Sequence, residues 1–122
     1  MIQTLVHNQC EWNWGQSKTI TLSDGKGSVE IQYEAGGNIG YICSLAVIPS
    51  LRGKGVGKEL LQAAEADIRK NGRDWADLRV EADKERLIKW YEGQGYRRLC
   101  WNSKESVGDD EEGYVRLFKQ MV

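Results

Sequence analysis

Leu45-Ala46-Val47-Ile48-Pro49-Ser50-Leu51-Arg52-Gly53-Lys54-Gly55-Val56-Gly57-Lys58 joins an apolar segment to a glycine-rich, basic turn, and the turn opens an amphipathic helix. Glycines at positions 53, 55 and 57 leave backbone N–H groups bare of side chains. The first turn of a helix carries N–H groups that have no partner inside the helix. Together these features make a seat for a phosphate or pyrophosphate. Arg52, Lys54 and Lys58 add positive charge beside it. A flexible glycine loop with no ligand is the plainer alternative, but it explains neither those cations nor the position between strand and helix.

Two nucleotide patterns fail on this stretch. A Walker-type loop needs four residues between its outer glycines, followed by Lys and then Ser or Thr. Here Gly53 and Gly57 are three residues apart in between, and Glu59 follows Lys58. A dinucleotide fingerprint needs G-x-G-x-x-G. Counted from Gly53 its last position is Lys58, and counted from Gly55 it is Leu60.

On the N-terminal side, residues 19–23 and 28–33 each alternate apolar and polar side chains, the period of a half-buried strand. Asp24-Gly25-Lys26-Gly27 between them is turn chemistry, so they read as a hairpin. After a second turn, Ala35-Gly36-Gly37-Asn38, residues 39–48 form a longer strand, apolar on both faces as a central strand is. On the C-terminal side, Val56, Leu60, Ala64 and Ile68 recur at helical spacing. That helix begins near Gly55 and stops near Asn71-Gly72, with Arg69 and Lys70 in its last turn. Residues 75–81 read as a short strand, and Asp83 as the cap of a second helix carrying Leu87, Ile88, Trp90 and Tyr91. Residues 96–101 and 114–119 close the sequence as two strands, joined by a link holding Asp109-Asp110-Glu111-Glu112. The predicted fold class is α/β: a mixed sheet with an antiparallel N-terminal meander, then strand–helix–strand–helix–strand–strand.

The bulk numbers exclude several classes. At 122 residues the chain is expected to be one domain, 1–122, with one modest core. Its net charge of −1 and pI of about 5.9 are unlike those of a nucleic-acid-binding domain and give no pull toward an anionic membrane. Cys10, Cys43 and Cys100 are an odd number without C-x-x-C spacing, which predicts a reducing, cytoplasmic setting rather than a disulfide framework. No apolar run approaches the roughly 20 residues that span a bilayer, and no signal peptide is visible. One histidine, His7, with scattered cysteines predicts no metal site.

The pattern that does fit is Arg/Gln-x-x-Gly-x-Gly/Ala, met by Arg52-Gly53-Lys54-Gly55-Val56-Gly57 and preceded by Leu45-x-Val47-x-Pro49. It resembles motif A of the GNAT N-acetyltransferase superfamily. Downstream, Leu78-x-Val80 resembles that family's fifth strand, and Tyr91-Glu92-Gly93-Gln94-Gly95-Tyr96 resembles its Tyr-x-x-x-Gly-Phe/Tyr signature. The resemblance covers residues 39–119. It implies a GNAT-like, acyl-CoA N-acyltransferase fold and acetyl-CoA as cosubstrate. The backbone groups of Arg52, Gly53, Gly55, Val56, Gly57 and Lys58 would hold the pyrophosphate. The central strand would splay from its neighbour, so that free backbone groups near Leu45 and Val47 pair with the pantetheine arm.

Acetyl transfer from a thioester to an amine needs a base, because an alkyl amine with a pKa near 10.4 is mostly protonated at neutral pH. The resemblance implies Tyr91 as the acid that protonates the departing thiolate. Many members carry Glu on the central strand at the position that is Tyr41 here, and a phenol is a poor base at neutral pH. Glu81, at the end of the fifth strand, or Glu34, across the meander, is then expected to take the proton through a water. Cys43 lies on the central strand with no basic neighbour in sequence, so it is expected to be a buried structural thiol rather than a nucleophile. His7 is expected at the surface.

The acceptor side is less defined. Family members usually spend more residues ahead of the central strand, on one strand and two helices, whereas residues 1–16 show no amphipathic helix and contain Cys10-Glu11-Trp12-Asn13-Trp14-Gly15. The acceptor pocket is therefore open, completed by a second subunit in a homodimer, or built from Trp12, Trp14 and the loop with Asp109, Asp110, Glu111 and Glu112. Those acidic residues attract a cationic amine, on a small molecule or a peptide, or are simply a solvated loop. The expected function is N-acetyl transfer to a primary amine by direct attack in a ternary complex, and the alternative is an acyl-CoA-binding sensor or scaffold.

Overall fold

The computed structural model describes residues 5–12, 15–22, 25–98 and 113–121. One sheet of seven strands runs through the molecule: β1 (Leu5–Trp12), β2 (Gly15–Leu22), β3 (Gly27–Glu34), β4 (Ile39–Val47), β5 (Trp75–Glu81), β6 (Arg97–Arg98) and β7 (Tyr114–Gln120). Its spatial order is β1-β2-β3-β4-β5-β7-β6. Strands β2 to β4 form the predicted antiparallel meander, and β1 extends it by one antiparallel strand. β4 and β5 are parallel, joined by α1 (Val56–Lys70), and α2 (Glu85–Gly93) follows β5.

The N-terminal region departs from expectation. β1 pairs with β2 over its whole length, although its sequence carries no clear two-residue period. β2 also starts at Gly15, four residues ahead of the predicted strand. Neighbouring backbones, not side-chain alternation, make these residues extended. Lys18, a polar residue in that extension, ion-pairs with buried Asp67 of α1 at 2.8 Å. The Asp83 cap is a second correction: α2 has Lys84 at its N-cap and no side-chain cap bond. The end of α1 is as predicted, with Asn71 as C-cap and its amide donating to the Asp67 carbonyl at 2.8 Å. The predicted strand over 96–101 is described only as far as Arg98.

The core lies on one sheet face. Val29, Ile31 and Tyr33 of β3, Ile42 of β4, Ala76, Leu78 and Val80 of β5, and Val115 and Leu117 of β7 point to it, as the alternation of a strand requires. Leu60, Leu61, Ala64 and Ile68 of α1 and Ile88 and Tyr91 of α2 cover them. α1 lies so close to β4 that a Cβ on Gly40 would fall 2.5 Å from Ile68 Cγ1. Two buried polar clusters tie α1 down. Tyr33 Oη donates to Asp67 at 2.5 Å, and Tyr96 Oη donates to Glu65 at 2.9 Å, where Lys119 also pairs. The alternate residues of the same strands face the other way. No helix among the described residues packs on that second face.

Candidate active site

The two halves of the site arise where β4 parts from β5. Their parallel register runs from Ile39↔Trp75 to Ile42↔Leu78 and then stops, although both strands continue. At the same level the β3–β4 register skips a residue: Ile31 opposes Ile42 and Glu30 opposes Ser44, leaving Cys43 as the bulged residue. A bulge bends its strand and increases the local twist. Beyond Ile42 the backbone edge of β4 that faces β5 is therefore released from the sheet. Leu45 and Val47 lie on this diverging stretch, half-buried against the core.

The glycine turn follows at once. Pro49–Leu51 forms one turn of 3-10 helix, and Gly53 and Gly55 take φ of 77° and 83°. That left-handed region favours glycine. Gly55 is the N-cap of α1, and the first helical bond runs from Glu59 N–H to Gly55 O at 3.0 Å. The N–H groups of Val56, Gly57 and Lys58 thus precede the helical ladder, at the positive end of the helix dipole. Arg52 serves the turn differently. Its backbone N–H donates to Pro49 O and its Nε donates to Val47 O at 3.0 Å, so its side chain laces the turn to the strand end. Gly57 has helical backbone, and a Cβ there would meet the Trp90 ring and Val47 at 3.8–3.9 Å, an ordinary contact.

On the open face, a cavity of about 450 Å³ sits at the fork. Ile42 and Leu78, the last paired residues, form its floor. Gln32, Glu34, Tyr41 and Cys43 line it from β3 and β4; Asp77, Arg79 and Arg116 line it from β5 and β7. Asp77 is 8% exposed and accepts a hydrogen bond from Arg116 Nη2 at 2.7 Å. Burial raises its pKa, against the opposing pull of Arg116. Burial, then the Glu34 and Asp77 carboxylates, push the Tyr41 phenol up as well, which makes Tyr41 a still poorer base. Cys43 is a correction: it is exposed at the bulge and lines the cavity rather than filling the core. Partial burial of its thiol and the nearby Glu30 raise its pKa to about 11, so at neutral pH it is a thiol and not a nucleophilic thiolate.

Of the two expected bases, only Glu34 borders the cavity. Glu81 lies on the same face four residues beyond Asp77, exposed, opposite Tyr114, and does not line the cavity. Four strand residues span about 13 Å. Tyr91 is 6% exposed in α2, packed edge-to-face against Trp90 and Tyr96 with ring centroids 5.0 and 5.8 Å away. Burial raises its pKa to about 12. Asp77, Arg79 and Arg116 were not singled out in the sequence. Alternation within β5 placed Asp77 and Arg79 on the outward face, but only sheet order brings Arg116 beside them. Trp14 and the Asp109, Asp110, Glu111 and Glu112 run lie outside the described residues, as do the side chains of His7 and Trp12.

Comparisons agree with this geometry. An acetyltransferase from Bacillus subtilis, solved in complex with CoA, is 18% identical and superposes with a TM-score of 0.67 over 98% of this chain and 100% of its own. An N-acetyltransferase from Thermoplasma acidophilum, also in complex with coenzyme A, is 20% identical with a TM-score of 0.66, covering 85% of this chain and 59% of its own. At these identities the likeness shows the fold, that of the acyl-CoA N-acyltransferases. A mycothiol acetyltransferase from Propionibacterium freudenreichii subsp. shermanii is 40% identical over 57 residues. That match takes in 47% of this chain but only 18% of the relative's length. The profile of the acetyltransferase (GNAT) family matches residues 19–96, from the β2–β3 hairpin through the forked strands and glycine turn to Tyr96, and the chain belongs to that family.

Proposed function

We propose that this chain is an acetyl-CoA-dependent N-acetyltransferase that moves the acetyl group to a primary amine by direct attack in a ternary complex. The observation that carries the reading is the fork: β4 leaves β5 at Ile42 and runs straight into a glycine turn that caps α1. The N–H groups of Gly53, Gly55, Val56, Gly57 and Lys58 suit a pyrophosphate, and the freed edge of β4 near Leu45 suits a linear amide arm, bound as an added strand. Val47 supports the turn instead, since its carbonyl accepts from Arg52. Bound there, acetyl-CoA supplies a thioester carbonyl for the amine to attack.

The chain's own residues then handle protons. Glu34 borders the cavity on β3 and takes the proton from the incoming ammonium, through a water, so that the neutral amine attacks. Asp77 is less available for that step because Arg116 holds it at 2.7 Å. Tyr91, with its pKa raised to about 12, stays protonated at neutral pH and donates its proton to the departing thiolate. A second reading, an acyl-CoA-binding sensor or scaffold, is favoured by Tyr41 standing where many members carry a catalytic Glu. Purified protein is incubated with acetyl-CoA and a panel of primary amines while free thiol is followed. Amine-dependent thiol release supports the enzyme. CoA binding by calorimetry without release supports the sensor, and absence of both refutes the two readings together.

A further inference from the structure

We propose that Trp90 is the wall against which the donor's pantetheine arm lies, so that tight binding depends on the apolar part of that arm. The inference rests on the N-acetyltransferase reading and names the side chain that holds the donor between its two ends. In that reading the glycine turn takes the pyrophosphate and Tyr91 meets the departing thiolate. The arm that joins them spans the ground between. Trp90 of α2 reaches both ends of it. A Cβ on Gly57 would stand 3.8 and 3.9 Å from Cζ2 and Cη2 of the indole, and 3.9 Å from Cγ2 of Val47. The indole edge, the end of β4 and the first turn of α1 therefore meet at one point. The same indole packs edge-to-face on the Tyr91 ring, with centroids 5.0 Å apart.

The core's cover is incomplete along this line. Leu45 and Val47 of β4, Val56 at the start of α1, Ala82 just after β5 and Trp90 all pack on the core, and each is only half-buried. They come from both sides of the fork, where β4 and β5 no longer pair. A linear ligand laid there removes apolar surface from water, which is favourable in proportion to the area covered. The arm has the matching chemistry. Its two amides suit the freed backbone edge of β4, as those of an added strand do. Its geminal dimethyl group and methylenes need an apolar surface, and an indole supplies a large, rigid one. The glycine turn holds only the phosphates, so it cannot tell the armed donor from its nucleotide half. Trp90 makes that distinction.

The test measures Kd by calorimetry in the wild type, Trp90→Phe and Trp90→Ala. The ligands are CoA and its phosphorylated ADP half, which keeps the pyrophosphate and lacks the arm. Trp90→Ala is expected to weaken CoA by about tenfold or more and to leave the armless nucleotide within about twofold. Trp90→Phe keeps part of the CoA affinity, because an aromatic surface remains. In parallel, the Trp90 indole N–H resonance, assigned by its loss in Trp90→Phe, is followed in wild-type protein. CoA is expected to move it further than the armless nucleotide does. A CoA affinity that survives Trp90→Ala overturns the inference while leaving N-acetyl transfer standing, and so do equal shifts with the two ligands. Equal loss of both ligands in Trp90→Ala makes Trp90 a prop of the glycine turn and overturns it too. Wild-type protein that binds neither ligand refutes the underlying reading instead.

Discussion

Gly55 and Gly57 are two residues apart in one motif, and the structure gives them opposite sensitivities. Gly55 has φ of 83°, and a Cβ there would meet nothing within 4 Å, so any cost of Gly55→Ala comes from the backbone alone. Left-handed backbone costs a non-glycine residue about 1–2 kcal/mol. For a domain of this size that is a fall in Tm of roughly 4–8 °C. If the turn relaxes to escape the strain, the N–H groups of residues 55–57 turn away from the anion seat. Each charge-assisted bond lost is worth about 1.5–3 kcal/mol, so CoA affinity falls at least about tenfold. Gly57 has helical backbone, and its added methyl would touch Trp90 and Val47 at 3.8–3.9 Å. Gly57→Ala then gains up to about 1 kcal/mol of helix propensity, raises Tm by a few degrees and leaves CoA affinity within about twofold. Thermal unfolding without ligand and calorimetry with CoA read both variants. A Gly55→Ala protein that melts and binds like the wild type refutes the reasoning, and so does a Gly57→Ala protein that loses CoA.

Tyr91→Phe keeps the ring packing and removes the proposed acid, so kcat is expected to fall about 10²- to 10⁴-fold with little change in CoA affinity; an unchanged kcat removes Tyr91 from the mechanism. The same variant has an alkaline signature. A pKa of about 12 in the fold against about 10 unfolded means that Tyr91's contribution is intact below pH 10 and is lost as pH rises through 12, about 3 kcal/mol in all. Tyr91→Phe should flatten that part of the stability–pH curve. Glu34→Gln should lower kcat by about 10²-fold and distort the acidic limb of its pH profile, whereas a loss confined to Glu81→Gln would return the role to Glu81. Gly40→Ala forces its methyl against Ile68 and should cost about 1–3 kcal/mol in a denaturant titration; a wild-type midpoint would mean that α1 moves away freely.

Much of the fold was legible because local signals and tertiary packing agree. The α1 period of Leu60, Ala64 and Ile68, its stop at Asn71-Gly72, and the strand over 75–81 are all where the sequence puts them. β1 was not legible. Its partner's backbone holds it extended, and no side-chain period records that. Cys43 was misplaced for a different reason: residues 39–48 read as apolar on both faces, but the face of β4 that carries Tyr41 and Cys43 opens on the cavity and no helix among the described residues packs on it. Gly40 carried no turn signal, because its role is the close approach of Ile68 from a helix far along the chain.

By itself, then, the sequence determined the glycine turn proposed here as the donor's seat. A glycine turn between a strand and a helix is a local device, and residues 45–58 contain all of its parts in order, including the left-handed glycines. Only the tertiary structure decided the cavity proposed here for the acceptor. Glu34, Tyr41, Asp77, Arg79 and Arg116 come from four strands, and β7 reaches β5 ahead of β6 in the sheet. Which of these carboxylates and guanidiniums share a cavity depends on strand order and on the point where β4 and β5 part. Those are set by long-range pairing and helix packing, which no short stretch of sequence encodes.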